Sequence, residues 1–238
     1  MLVLTGCVQP LGTLNTNAAA ARVLDKLGIS LTSAEGAGCC GALNQHLSDP
    51  DGARAMMRRN IDAWWPHVES GVEAIVMTAS GCGLMVKDYG HALKDDAAYA
   101  DKAARISALT RDLSEVISGE ILNREDHGAF AHIGRGRRVA YHSSCTLQHG
   151  QRLGGTVEAI LRRCGYELTP VADSHLCCGA AGTYTLTQPA LSRQLLDNKL
   201  AALCAGKPEV IASANVGCQM HLAGASDVPV RHWIELLE

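Results

Sequence analysis

Cysteine is the residue whose spacing in this chain points to chemistry. Ten cysteines occur among 238 residues, and eight of them fall into two copies of one pattern. Cys7 is followed after 32 positions by the pair Cys39-Cys40 and then by Cys82; Cys145 is followed after 32 positions by Cys177-Cys178 and then by Cys218. The last interval is 42 positions in the first copy and 40 in the second. Both pairs run on into Gly-Ala, at Gly41-Ala42 and Gly179-Ala180. Both final cysteines end a largely apolar run and follow a glycine, Gly81 or Gly217. In a reducing compartment, cysteines in this number are metal ligands or redox groups rather than structural disulfides.

The spacing favours a cluster over a single ion. Structural zinc sites use two close C-x₂₋₄-C pairs on short loops. This chain has no C-x-x-C, and one copy of its pattern spreads over 75 positions. Two adjacent cysteines fit poorly around one tetrahedral ion but can bind two irons of a larger cluster. Glycines 6, 38, 41, 81 and 83 let the backbone approach inorganic sulfides and donate N–H bonds to them. The expected cofactors are one or two 4Fe–4S clusters held by Cys7, Cys39, Cys40, Cys82, Cys145, Cys177, Cys178 and Cys218, with zinc in one site as the alternative. Cys164 and Cys204 lie outside the pattern on predicted helices and are expected in the core.

The two copies differ in histidine. His142, His149, His175 and His221 each lie within four residues of a motif cysteine, where the first copy has Leu4, Leu11, Ala37 and Met85. They are read either as ordinary loop residues or, for His142, His175 and His221, as groups that tune a cluster from beside it or ligate it.

The elements that position these residues repeat as well. Strands are predicted at Leu2–Thr5, Ile29–Ser33 and Ala74–Thr78, with helices at Asn17–Leu27 and about 51–68. The second half predicts strands at Arg138–His142, Glu167–Val171 and Val210–Ser213, with helices at Thr156–Cys164 and Pro189–Leu203. Ala100 to Ile121 is expected to be helical, and Gly134–Arg138 to be a linker. Strand–helix alternation implies parallel strands with right-handed crossovers. The fold class is therefore α/β: two Rossmann-like domains related by a pseudo-twofold, with mostly parallel sheets, dividing near residue 130 into 1–130 and 131–238. In such sheets ligands sit beyond the carboxyl ends of the strands. Each motif cysteine follows a strand, so each set of four is expected to meet at one sheet edge.

Composition removes other classes. Hydrophobic residues are 47%, charged residues 19% and the net charge is −3, so the chain can build a core and offers no basic surface for nucleic acid. Aromatic residues are 4%, too few for a base-stacking platform. No stretch approaches the ~18 apolar residues of a membrane span, and no signal peptide is evident. There is no P-loop, nucleophile elbow, H-E-x-x-H or dinucleotide fingerprint. Trp64-Trp65 is expected to pack a helix face or to anchor a partner, and Lys87, Tyr89 and His91 to lie on a solvated helix face.

The doubled Cys…Cys-Cys-Gly…Cys pattern resembles the cysteine-rich CCG domain shared by the heterodisulfide reductases, lactate-utilisation proteins and glycolate oxidase iron–sulfur subunits. Longer strings are similar to the last of these families: Gly6-Cys7-Val8-Gln9-Pro10, the run Met57–His67, Ala79-Ser80-Gly81-Cys82-Gly83, Cys145-Thr146-Leu147-Gln148-His149-Gly150, Ser174–Gly179 and Pro229–Leu237. The resemblance implies an electron-carrying subunit, without a catalytic residue of its own, of a glycolate oxidase complex. Flavin-containing partner subunits, carrying FAD, would oxidise glycolate to glyoxylate, and the acceptor would be a quinone reached through the complex. The expected location is the cytoplasm, or peripheral to the inner face of the cell membrane. Members of that family usually also carry a ferredoxin-like module of C-x₂-C-x₂-C-x₃-C-P runs, which this chain lacks; it corresponds to their C-terminal part. The CCG-bearing chain of the heterodisulfide reductases ends each motif in C-x-x-C, where this chain has Ala79 and Asn215. Thiol–disulfide chemistry at a five-cysteine cluster is thus the first rival reading, and a zinc-held scaffold without redox role the second.

Overall fold

A computed structural model of the chain describes residues 1–122 and 128–238. Two compact units divide it, Met1–Leu113 and Ser114–Glu238; sequence places the division near 130. In chain order the first unit runs β1 (Leu2–Val3), α1 (Gln9–Gly12), α2 (Thr16–Lys26), β2 (Thr32–Ser33), α3 (Ala42–His46), α4 (Pro50–Glu69), β3 (Ile75–Met77), α5 (Ser80–Lys87), α6 (Tyr89–Ala92), α7 (Ala100–Leu109) and β4 (Thr110–Asp112), after which α8 (Leu113–Ile121) begins. The second unit holds β5 (Arg138–His142), a π-helical turn at Thr146–Gly150, α9 (Thr156–Arg163), β6 (Glu167–Leu168), α10 (Tyr184–Thr187), α11 (Pro189–Cys204), β7 (Val210–Ser213), α12 (Val216–Ala223), β8 (Val230–His232) and a short 3₁₀ turn at Trp233–Leu237.

Among the described residues each unit has one four-stranded sheet, in the order β2-β1-β3-β4 or β6-β5-β7-β8, with every pairing parallel. The α/β reading with parallel sheets is borne out. β5 and β7 have the predicted bounds. β1, β2, β3 and β6 pair over fewer residues than predicted.

Two strands were not foreseen. The predicted helix over Ala100–Ile121 is broken by β4, which pairs Thr110, Arg111 and Asp112 with Ile75, Val76 and Met77. Its counterpart β8 pairs Val230, Arg231 and His232 with Ile211, Ala212 and Ser213. Each has only three residues, too few for a period of two to show against helical flanks.

The helix after each cysteine pair shows how the units are built alike. Asp49 caps α4 by accepting a 3.0 Å bond from the Gly52 N–H, and Pro50 opens the helix. The buried face of α4 is Ala53, Met57, Asn60, Ile61 and Trp64, at helical spacing. α11 also opens with proline and buries Ser192, Leu196, Lys199 and Leu203. Counting from the two prolines, Ala53 corresponds to Ser192, Met57 to Leu196, Asn60 to Lys199 and Trp64 to Leu203. Trp64 is fully buried, so the helix-packing expectation holds for it. Cys164 is fully buried, and Cys204 packs against the second unit's core.

Candidate metal centre

All the motif cysteines lie beyond the carboxyl ends of strands. Cys7 follows β1, Cys39 and Cys40 follow β2, and Cys82 stands in the first turn of α5 after β3. Cys145, the pair Cys177-Cys178 and Cys218 repeat this after β5, β6 and β7. Their thiols meet in a row. Cys7 lies against Cys39, Cys39 against Cys40 and Cys40 against Cys82. In the second unit Cys145 lies against Cys177, Cys177 against Cys178 and Cys178 against Cys218. Residues 75 positions apart in sequence thus share one sheet edge.

The Cys-Cys-Gly-Ala string has a local reason. Gly41 and Gly179 adopt φ of 89° and 91°, a left-handed conformation that glycine takes without steric cost. The turn aims successive N–H groups at the pair: Gly41 N–H at Cys39 and Ala42 N–H at Cys40, and likewise Gly179 N–H at Cys177 (3.3 Å) and Ala180 N–H at Cys178. The N-terminal turns of α5 and α12 add a further positive field at Cys82 and Cys218. Both features favour sulfur that carries negative charge.

Crowding sets the protonation of the rows. Burial, then the Cys39 contact, push Cys7 up, and the Cys40 contact followed by burial push Cys39 well above the ordinary thiol range. At Cys40 the Cys39 contact pulls downward, but Cys82 and burial outweigh it and push the thiol up to about 12. In the second row Cys145, through its contact with Cys177, and Cys178, through its contacts with Cys177 and Cys218, are pushed up. Cys177, through its contacts with Cys145 and Cys178, and Cys218, through its contact with Cys178, are pulled down. A metal-free row therefore keeps protons that metal must displace.

The loops around the rows are tied down by side-chain hydrogen bonds. Gln9 donates a 2.9 Å bond to Thr78 Oγ1, fastening the Cys7 loop to the end of β3. Gln148 donates to the Ser143 carbonyl at 2.8 Å, within the Cys145 loop. Asn60, fully buried, accepts from Gly38 N–H at 2.8 Å and donates to the Cys39 carbonyl at 2.9 Å. Tyr89 donates to the Cys40 carbonyl at 2.8 Å. Tyr89 is fully buried, which corrects the expectation of a solvated face: the helical break at Asp88 turns it inward. Asn60 and Tyr89 are supports that sequence reasoning missed. A fully polar Asn on an otherwise apolar helix stripe was the available signal.

At the position matching Asn60, Lys199 donates to the carbonyls of Asp173 (3.0 Å) and Ser174 (3.3 Å). It brings a cation into the field of Cys145, Cys177 and Cys178, and burial lowers its pKa. Asn215 Nδ2 lies 3.3 Å from Cys218 Sγ.

The histidines separate. His142, at the end of β5, is buried, and a ring nitrogen of it lies with Cys178 and Cys218 sulfurs in a set whose members are all within 4.8 Å of one another. Burial pushes His142 down to about 4, so the ring is neutral at neutral pH. His175 and His149 are exposed, with His149 Nε2 3.2 Å from the His175 carbonyl. His221 Nε2 lies 3.4 Å from Ser192 Oγ.

This donor chemistry fits iron–sulfur clusters. Four sulfurs per unit can each meet an iron, backbone N–H groups point at sulfur, and His142 Nε2 is a buried polar atom without a hydrogen-bond partner among the described residues. The fold and the two rows define a duplicated α/β protein with one four-cysteine site in each half. Comparison with known proteins gives the family: the cysteine-rich domain (CCG) matches at residues 1–87 and 139–223, and the chain belongs to that family.

Relatives agree over nearly the whole chain. It is 56% identical over 238 residues to the "Glycolate oxidase iron-sulfur subunit" of Escherichia coli (strain K12), an alignment covering 100% of this chain and 57% of that protein. The chain thus spans a little over half the length of that relative. It is 30% identical over 240 residues to "Lactate utilization protein A" of Bacillus licheniformis, covering 97% of this chain and 95% of the relative. The same protein of Bacillus velezensis is 31% identical over 240 residues, with the same coverage.

Proposed function

We propose that the chain is an iron–sulfur electron-transfer subunit of a glycolate-oxidising complex. The observation that carries this reading is the doubled row of four thiols, each at the carboxyl edge of its own parallel sheet. The eight motif cysteines are the proposed ligands, and bound 4Fe–4S clusters would supply one-electron storage at each row. The chain's own residues would hold the sulfurs, donate N–H groups to them through Gly41, Ala42, Gly179 and Ala180, and seal the inner side with the apolar core. Flavin-bearing partner subunits, carrying FAD, would oxidise glycolate to glyoxylate. Electrons would pass through this subunit towards an acceptor such as a quinone, with the complex in the cytoplasm or against the inner face of the membrane. Among the described residues no helix is long and apolar enough to cross a membrane. The glycolate reading rests on the 56% identical relative and the shared strings.

A zinc ion in the second site is the reading that one observation also favours, since His142, Cys178 and Cys218 form a set within 4.8 Å, compact enough for a single ion. Mixing the anaerobically purified chain with its flavin-bearing partners and adding glycolate tests the function. The visible absorbance of the chain's clusters should bleach. If dithionite bleached it and glycolate-reduced flavin did not, the electron-transfer role would be wrong.

A further inference from the structure

The two sites are not chemically equal. In the first unit the end of β1 presents Leu4, a core residue, at the position where the second presents His142. His142 is 2% exposed, among the most buried polar residues of the chain. It pairs in register with Ser213 on the neighbouring strand β7, and its Nδ1 lies 3.3 Å from Ser213 Oγ. That leaves Nε2, which is buried and meets no hydrogen-bond partner among the described residues. A buried ring nitrogen without a partner is costly unless something binds it. Around this ring stand the Cys178 and Cys218 sulfurs, in a mutual set within 4.8 Å. Metal-bound histidines characteristically fix the ring by giving the other N–H to a neighbouring oxygen, and Ser213 Oγ is placed for that.

We propose that His142 Nε2 is a metal ligand of the second centre, so that this centre draws on four thiolates and one imidazole while the first draws on thiolates alone. The proposal rests on the iron–sulfur reading above for the identity of the metal, and on geometry for the donor. The bond is donation of the Nε2 lone pair, with the ring proton kept on Nδ1 and given to Ser213 Oγ. An imidazole brings a donor without charge, and Lys199 adds a cation that the first site replaces by Asn60. The added imidazole leaves the four thiolate charges as they are, whereas the Lys199 cation lowers the net negative charge around the second centre and makes it easier to reduce than the first.

The test is pulse EPR on the anaerobically purified, iron-loaded chain, reduced stepwise, with and without ¹⁵N-histidine labelling. One of two centres should show a strongly coupled nitrogen that shifts with the label, and this should be the centre reduced first. In His142→Leu, which installs the residue found at Leu4, the coupling should vanish. Should that variant not fold, Ser213→Ala keeps the ring and removes its Nδ1 partner, and the coupling should change without loss of iron. Two loaded centres with no labelled-nitrogen coupling would overturn the proposal. A preparation with zinc and no iron would instead remove the electron-transfer reading, and zinc-edge X-ray absorption would still decide the ligand: imidazole scattering that disappears in His142→Leu sustains it, and an all-sulfur shell overturns it.

Discussion

Gly179 packs so closely beneath α11 that a Cβ added to it would stand 2.5 Å from the Ser192 carbonyl oxygen, and Ser192 Oγ donates a 2.9 Å bond back to the Gly179 carbonyl. Gly41 and Ala53 repeat the approach in the first unit, at 3.0 Å. The third letter of the Cys-Cys-Gly motif is therefore fixed twice, by its positive φ and by the helix backbone above it. Gly179→Ala should cost about 3 kcal/mol, combining the left-handed backbone penalty with overpacking. It should also strip the second centre, seen as a lower melting temperature and loss of about half the iron. Gly41→Ala should be milder, since its contact is half an ångström longer.

Asn60 and Tyr89 form a polar knot under the first cysteine pair. Asn60 Nδ2 also donates to Tyr89 Oη at 3.0 Å, so one amide serves three partners. Asn60→Ala leaves the part-buried Gly38 N–H and Cys39 carbonyl unmet and should cost about 2–3 kcal/mol. Tyr89→Phe removes the bond to the Cys40 carbonyl and should cost about 1 kcal/mol. Denaturant unfolding of the two variants checks both, and an Asn60→Ala cost no larger than that of Tyr89→Phe would contradict the knot.

The first row of thiols gives opposite pH trends for the loaded and the metal-free chain. Cys7, Cys39 and Cys40 all lie above the ordinary thiol value of 9.0. A group raised on folding stabilises the fold below its unfolded pKa and loses that contribution as pH climbs through the folded value. Metal-free protein should therefore lose stability in the first unit as pH rises above about 9. Loading runs the other way, because metal displaces these protons: reconstitution should be more complete at pH 8.5 than at 6.5. Cluster absorbance after reconstitution across that range is the check.

The ligand assignment separates motif cysteines from packing cysteines. Cys39→Ser and Cys177→Ser should each remove about half the iron, one centre apiece. Cys164→Ser should leave iron content unchanged and lower stability, since Cys164 is fully buried. Unchanged iron in either motif variant would exclude that half as a cluster site.

The sheet edge and the cysteine rows were legible in sequence because the repeat carries its own punctuation: a strand, a cysteine, and glycine where the backbone must turn. β5 and β7 were read to the residue because Val139-Ala140-Tyr141 and Val210-Ile211-Ala212 are short apolar runs bounded by polar residues. β4 and β8 were not. Thr110-Arg111-Asp112 sits between two helical stripes, and its burial comes from pairing with β3 rather than from apolar character. The match of Arg111 and Glu115 with Arg231 and Glu235 would have extended the repeat to the fourth strand. Tyr89 was misjudged because Lys87, Asp88 and His91 around it are polar, whereas a break between α5 and α6 redirects it into the core. His142 stood out by type, but only the β5–β7 register places it against Ser213 and the Cys178 and Cys218 sulfurs.

Iron, sulfide and zinc analysis of the anaerobically purified chain, followed by EPR on reduction, tests the central claim most directly. The account predicts about eight irons and about eight sulfides per chain, little zinc, and two reducible signals. Near-stoichiometric zinc with no reducible iron would contradict it.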